Sequence, residues 1–457
     1  MIPREALASL WQSTGLPQEA LRFADLAGTD PVYPSSFAVG TAAQASIAAA
    51  ALAACEVGHL RGAARQRVAL DMAHAATECT AWFAIDGRTP DLWDPFSGLY
   101  RCADGWVRVH ANFRHHRDGA LKLLGLDPAT ATRAQADAAM LRWTARDYED
   151  ASAKAGLVAT ALRTFADWDA SPQGQAIASQ SLVQVERLGN APVLALPALQ
   201  PGQWPLAGVK VLDLTRILAG PVGGRMLAAH GADVMLVNSP GLPNIDAIAD
   251  TSRGKRSCHV DLSTARGRED FDALLAEAHV VIQGYRPGGL DALGYGPEDL
   301  ARRRPGIVAV WLSAYGSQGP WRDRRGFDSL VQTAMGFNHA EGEAAGGGPK
   351  ALPMQILDEA TGALIAAMAS ALVHRQQREG GSWLARVSLA QTGQWRRALG
   401  RGEGGLAAKP PARDAWVEHA DSGFGRLSGI SHSAQLAATP AAWTRPSERP
   451  GSSPPRW

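Results

Sequence analysis

In the stretch LPMQILDEATGALIAAMASALVHRQQREGG, residues 352–381, an apolar segment runs into the acidic pair Asp358–Glu359. An Ala-rich run follows, with no further acid until Glu379. A carboxylate at the hinge between a buried segment and an apolar helix over 359–373 has two possible uses. It can cap the helix by accepting the free N–H groups of the first turn. It can also act as a nucleophile, kept ionised by those N–H groups and by the positive helix end. The local pattern favours the cap. Glu359 reads as a first-turn acid serving the helix dipole.

Around this hinge the chain alternates strand and helix patterns. GVKVLDLTRILAGPVGGRMLAAHGADVMLVNSPG, residues 208–241, reads as a buried strand, a turn and helix closed by Gly231, and a second strand. That is βαβ spacing, which implies a parallel sheet with helices on its faces. The alternation continues through GREDFDALLAEA, HVVIQGY, PEDLARRRP and GIVAVWLSAYG. The fold class is therefore α/β: a doubly wound parallel sheet, Rossmann-like, beside a smaller α+β domain.

The expected divisions are a helical segment over 1–93, a small α+β domain over 94–190 and a linker over 191–205. The α/β domain follows over 206–402, and an extended Gly-, Pro- and Ser-rich tail over 403–457. Within the first half, GTAAQASIAAAALAACEVGHL reads as a long helix and QRVALDMAHAATECTAWF as a strand running into a helix. GLYRCADGWVRVHANF reads as a hairpin turning at Asp104–Gly105, and 112–187 as helical. An internal repeat emerges when AALAACEVGHLRGAARQRVALDMAHAA is laid against SALVHRQQREGGSWLARVSLAQTG. Matching Val68 to Val387, 319 residues apart, puts Val39 opposite Asp358.

Composition narrows the function. Lys and Arg number 45 against 44 Asp and Glu, so no basic excess points to nucleic acid. The four cysteines are scattered without C-x-x-C or His/Cys ligand spacing; reduced thiols in a cytoplasmic protein are expected, and no metal site. The start lacks the apolar core of a signal peptide. ASIAAAALAA, the most apolar run, is too short and Ala-rich to span a bilayer. No G-x-G-x-x-G follows the first α/β strand, and no phosphate loop, H-E-x-x-H or G-x-S-x-G occurs. The pair His115–His116 reads as surface or hairpin-end histidines, and the GGG at 346–348 as a flexible loop.

PLAGVKVLDLTRILAGPVGGRMLAAHGADVMLV, RGKRSCHVDL, QGYRPGGLDALG, LSAYGSQGPWRDRRGFDSLVQTAMGF and ILDEATG occur in this order. Together they resemble the class III CoA-transferase family, which includes formyl-CoA transferase, carnitine CoA-transferases and alpha-methylacyl-CoA racemase. The N-terminal part is also similar to the family, but family members begin with the α/β half, whereas here a segment like the later half comes first.

The resemblance implies that an Asp attacks an acyl-CoA thioester to give an acyl–aspartyl anhydride. CoA thiolate then forms an aspartyl-CoA thioester, and an incoming carboxylate collects the CoA. Asp358 matches the place of that Asp, which reverses the local preference for a cap. By family position, Arg216, Leu218, Gly284, Tyr285, Arg286 and Tyr315 fall where CoA is held; Arg253, Lys255 and Arg256 in RGKRS are further phosphate candidates. CoA is implied as a co-substrate with no permanently bound cofactor. Acyl-CoA and a carboxylic acid are the implied substrates, and a homodimer with intertwined chains the implied assembly; neither nucleic acid nor membrane is an expected partner.

Two positions depart from the family pattern: Leu218 stands where formyl-CoA transferase has a polar residue, and VNSPG lacks a Glu common after the second strand. Phe327 replaces the His of the racemase branch's GHD stretch, with Asp328 retained, and phenylalanine cannot serve as general base. A racemase or a non-catalytic CoA-binding paralogue are the alternatives. One catalytic acid per chain is expected, with residues 1–200 supplying a small-domain wall.

Overall fold

The computed structural model describes residues 1–402 and 404–457. In chain order, β1 (Ala24–Ala27) is followed by the long helix α1 (Val39–Leu60) and by β2 (Val68–Asp71), which pairs with β1 in parallel. Asp71 then caps α2 (Met72–Glu78) by accepting the His74 N–H at 2.9 Å. β3 (Phe83–Ile85) leads into the small domain.

There β4 (Gly98–Arg101) and β5 (Trp106–Val109) form the expected hairpin, and β6 (Ala159–Ala161) adds antiparallel to β5. α3 (Arg114–Leu123) and α4 (Ala145–Lys154) contribute to a separate core that includes Tyr100, Val107, Leu121 and Tyr148. The stretch 112–187, expected to be helical throughout, contains β6 and the start of β7 (Gln184–Gly189). β7 leaves the small domain to join the large sheet.

That sheet is built from β8 (Lys210–Leu214), β9 (Asp233–Asn238), β10 (Lys255–His259), β11 (Val280–Gln283), β12 (Val308–Ser313) and β13 (Ser382–Ser388). Its order is β10-β9-β8-β11-β12-β13-β7, all parallel except β7, which lies antiparallel to β13. The central strands β8, β9, β11 and β12 are almost continuously buried and rich in Val, Leu and Ile, as helices covering both faces require, whereas the edge strand β7 is largely exposed. α5 (Ala219–Ala229) follows β8; α6 (Asp328–Met335), α7 (Ile356–Glu379) and α8 (Leu389–Ala398) surround β13 in sequence.

The 403–457 tail was expected to be extended; its boundary residue 403 lies outside the described residues. Instead it forms a hairpin, β14 (Val417–Ser422) with β15 (Gly425–Ile430), that extends β3, and then β16 (Gln435–Leu436) pairs antiparallel with β2. It is anchored by Glu78, which accepts from His432 Nδ1 at 2.8 Å and from the Ser433 N–H at 2.8 Å.

The centre of the molecule is the contact between α1 and α7. Both are long and apolar enough to cross a membrane, and in the fold both are core helices with their apolar windows wholly buried. Each is apolar on every face because each is surrounded by protein on every face. α7 also packs on α5 at glycines: a Cβ at Gly362 would lie 2.6 Å from the Ala219 carbonyl, and one at Gly223 would lie 2.8 Å from Ile365 Cγ2. This close approach sets the second and third turns of α7 against the start of α5.

Candidate active site

A cleft of about 670 Å³ opens at the C-terminal ends of the parallel strands, where open α/β sheets bind ligands. Its large-domain wall comes from the turns after β8, β9, β10, β11 and β12. Phe113, His115 and His116 of the small domain close the opposite side. The loop before α6, through Arg324, Arg325 and Phe327, completes the wall.

Asp358 lies in this cleft, 7% exposed. It is the third residue of α7, since the helix begins at Ile356, and Gln355 at the cap position makes no side-chain cap. The local cap reading is therefore corrected. The helix end is capped from another element: Asp328, the first residue of α6, accepts the Asp358 N–H at 2.9 Å. Asp328 is fully buried and is held in turn by Gln332 Nε2. The Gln332 carbonyl accepts from Asn338 and from the Leu352 N–H.

Two buried carboxyl groups thus lie near each other. Burial first, then the neighbouring Asp328, raises the Asp358 pKa well above the ordinary carboxylate range. Burial likewise pushes Asp328 up to about 7, against the stabilising N–H of Asp358, the Gln332 amide and the more distant Arg108. The expectation that helix N–H groups hold the Asp358 carboxylate ionised is not met: those donors serve Asp328. Glu359 does not sit in solvent at the dipole. It is fully buried, both carboxyl oxygens lack hydrogen-bond partners among the described residues, and burial raises its pKa well above normal, opposed by Arg225.

Of the CoA-binding candidates, Arg216, Leu218, Gly284, Tyr285 and Arg286 line the cleft with Asp358. Arg216 lies 5.7 Å from the Phe113 ring centroid, and its Nε is buried without a partner among the described residues. The turn carrying it is strained, because Ile217 has φ 77°, a conformation a β-branched residue rarely adopts. Arg286 is exposed at the cleft edge.

Tyr315 is corrected to a core position: it is 1% exposed, packs edge-on against Trp321 at 4.9 Å and stands behind the wall. Arg253, Lys255 and Arg256 are also corrected, because acids and carbonyls inside the fold already occupy their charges. Lys255 is fully buried, donating to Asp213 Oδ2 at 2.8 Å and to the Pro221 carbonyl at 2.7 Å. Arg253 bridges Asp250 and Glu418 over the Trp443 ring, and Arg256 pairs with Asp233 at 2.6 Å.

Sequence reasoning expected a small-domain wall from residues 1–200 but did not name the side chains that form it. His115 and His116, expected to be surface or hairpin-end histidines, both line the cleft; His115 is exposed there, as that reading allows. His116 is buried, and Arg325 Nη1 lies 3.4 Å from its Nε2 and donates to the Gly156 carbonyl at 3.1 Å. These contacts tie the loop bearing Phe327 and Asp328 to the small domain. Their signal was the density of ring-bearing residues in HANFRHH after the hairpin.

Residues 206–398 match CoA-transferase family III. A Mycobacterium tuberculosis protein named "Probable fatty acyl-CoA transferase" is 36% identical over 197 residues, 40% of this chain and 50% of the relative. An acyl-CoA transferase of Gibberella moniliformis is 29% identical over 378 residues, covering 73% of this chain and 66% of the relative. A succinate–glutarate CoA-transferase of Agrobacterium fabrum is 35% identical over 37% of this chain and 47% of the relative. The chain thus spans about half to two thirds of the length of these relatives. A crystal structure of a CAIB/BAIF family protein from Brucella suis aligns with 27% identity and a TM-score of 0.38 over 49% of this chain and 65% of that one.

Proposed function

We propose that this protein transfers CoA between an acyl-CoA and a carboxylic acid, with Asp358 as the covalent nucleophile. The observation that carries this reading is the position of Asp358: a buried carboxyl in the family-matched place, reaching the same cleft as Arg216, Tyr285 and Arg286. The cleft's other acid, Asp261, is tied up by the Ser263 N–H at 3.0 Å and Oγ at 2.6 Å. The matching domain and relatives named as CoA-transferases support the same reaction.

In this mechanism Arg216 and Arg286 attract the CoA phosphates while Tyr285 and Leu218 contact its less polar parts. An Asp358 carboxylate oxygen attacks the thioester carbonyl; the C–S bond breaks, CoA thiolate leaves, and an acyl–aspartyl anhydride remains. The thiolate then attacks the aspartyl carbonyl, releasing the first acid and leaving an aspartyl-CoA thioester. The incoming carboxylate attacks that thioester to form a mixed anhydride, and returning thiolate delivers CoA to the new acyl group and frees Asp358. Charge is conserved, since each step exchanges one anionic leaving group for one anionic nucleophile. Asp328 acts through position: it fixes the first turn of α7, and its negative charge raises the energy of the Asp358 anion, favouring its conversion to a neutral acyl derivative.

A cytoplasmic location belongs to the proposal and suits four cysteines that are buried and free. A racemase would need an acyl α-proton acceptor beside the thioester. Phe327 fills the wall there, with His110 stacked on it at 3.9 Å. Burial drives the His110 pKa down to about 3, with His116 and Arg108 adding to the shift. The test is isotope exchange between free acids and a panel of acyl-CoAs, with Asp358→Asn as the control: exchange by the native protein and none by the variant is expected.

A further inference from the structure

Two helices begin at the cleft with a phenylalanine at the cap position. Phe113 precedes α3 and Phe327 precedes α6, and neither side chain forms a cap hydrogen bond. Ser, Thr, Asp or Asn would serve a helix better there. Both rings instead line the cleft, with their centroids 6.3 Å apart. His110 stacks on Phe327 at 3.9 Å, and the Trp93 ring stands 6.0 Å from His110. His116 meets Phe113 edge-on at 5.7 Å and lies 6.4 Å from Phe327. These rings form one continuous layer, and Phe113, His116 and Phe327 are its face toward the cleft.

The layer adjoins the nucleophile. Phe327 is followed by Asp328, whose carboxyl accepts the Asp358 N–H at 2.9 Å, so Phe327 and Asp358 enter the cleft from adjoining helix starts. Leu312, Ala314 and Leu389 add apolar surface to the same cleft. The cations nearby are engaged elsewhere. Arg324 lies over the Trp321 ring at 4.1 Å and 3.5 Å from Glu149 Oε1. Arg325 donates to the Gly156 carbonyl at 3.1 Å, and Arg108 is buried outside the cleft lining, 5.5 Å from the Trp93 ring centroid. Arg286 and His115 stand exposed to water. Burial, before any neighbouring charge, lowers the pKa of His110 to about 3 and of His116 to about 4, so both rings are uncharged near neutral pH.

The geometry points to an acyl group that is uncharged and apolar, a ring or a branched chain laid against Phe327 and Phe113, with Phe327 as the residue that sets this preference. An apolar group held on the nucleophile covers the rings and gains by leaving water. A second carboxylate on the acyl group would lose its water against the same rings without a charge partner, and that loss outweighs the gain from burying the rest of the chain. Arg216 does not change this balance, because in the transferase reading it holds the CoA phosphates.

This preference rests on the transferase reading, so binding is measured apart from turnover. Phenylacetyl-CoA, isovaleryl-CoA and succinyl-CoA are titrated by calorimetry into Asp358→Asn, with free CoA as the reference. The amide relieves repulsion of a charged acyl group and so works against the expectation. Phenylacetyl-CoA and isovaleryl-CoA should each bind at least about tenfold more tightly than succinyl-CoA, as burial of one apolar group of side-chain size implies. With Phe327→Ala added, the gap should shrink to within about threefold. If that variant fails to fold, Phe327→Leu decides: isovaleryl-CoA should keep its advantage over succinyl-CoA, while phenylacetyl-CoA loses the contact between rings. Equal affinity for all three, a gap unchanged by both substitutions, or a preference for succinyl-CoA would overturn the inference. Loss of a succinyl preference in Arg325→Met would assign the distal carboxylate to Arg325 instead. Binding in the expected order by a native protein that exchanges no acid would contradict the proposed reaction and leave the acyl preference standing.

Discussion

Asp328 accepts the backbone N–H of Asp358 at 2.9 Å, so the residue that caps the helix and the residue that faces the cleft are different aspartates. A cap formed by Asp358 itself would spend its carboxylate on α7. Assigning the cap to α6 leaves the Asp358 carboxyl free for the cleft and places a second carboxyl beside it.

Asp328→Asn should keep the fold, because the amide oxygen still accepts an N–H, but slow transfer. Misplacement of the first turn of α7 costs up to roughly 100-fold in kcat. The variant should also move the acidic limb of the acylation rate to lower pH, since the neighbour that raises Asp358 no longer carries charge. Single-turnover acylation measured across pH reads both. An unchanged pH profile would remove the like-charge argument.

The same group makes stability depend on pH. The folded-state pKa of Asp328, about 7, lies above the ordinary 3.8. The folded protein therefore binds this proton more tightly than the unfolded chain does. Its contribution to stability is fully present below about pH 4 and is lost as pH rises through about 7. In denaturant titrations the native protein should lose stability over this window from this pair, and Asp328→Asn should flatten the slope.

The cationic candidates should separate into two behaviours. Arg216→Ala should raise KM for acyl-CoA about ten- to hundredfold, as expected for a charge-assisted contact worth about 1.5–3 kcal/mol, with Tm nearly unchanged. Lys255→Ala should do the reverse. It leaves Asp213 buried and unpaired at a cost of about 3–5 kcal/mol, with little change in KM for the protein that remains folded. A selective KM effect at Lys255 would return it to the binding site.

In heavy water the protein should incorporate no deuterium at the α-carbon of 2-methylacyl-CoA. Phe327 has no proton-accepting group, and His110 behind it is a weak base. Proton NMR of the recovered acyl-CoA measures this, and enzyme-dependent exchange would favour the racemase reading.

The α/β domain was legible because buried parallel strands write themselves as Val- and Leu-rich runs between helices, as VKVLDL and HVVIQG do. The local pattern at Asp358 favoured a helix cap that its carboxyl does not form; the resemblance singled the residue out, and it lines the cleft. The basic run RGKRS misled because sequence shows charge and not pairing. Lys255 meets Asp213 from 42 residues away, and Arg253 meets Glu418 from 165 away. The side chains that build the small-domain wall were hidden for the same reason, since Phe113 comes near Arg216 only after β7 carries the chain across to the large sheet. The tail read as extended because β15 and β16 draw their order from β3 and β2, more than three hundred residues earlier.

The most direct measurement is the covalent state of Asp358 during turnover. The native protein is incubated with an acyl-CoA that supports exchange, trapped with hydroxylamine, digested and analysed by tandem mass spectrometry. The account predicts a hydroxamate at Asp358, at no more than one site per chain, and none in Asp358→Ala, which should still bind CoA. A modified carboxylate elsewhere, or full transfer activity in Asp358→Ala, would contradict it.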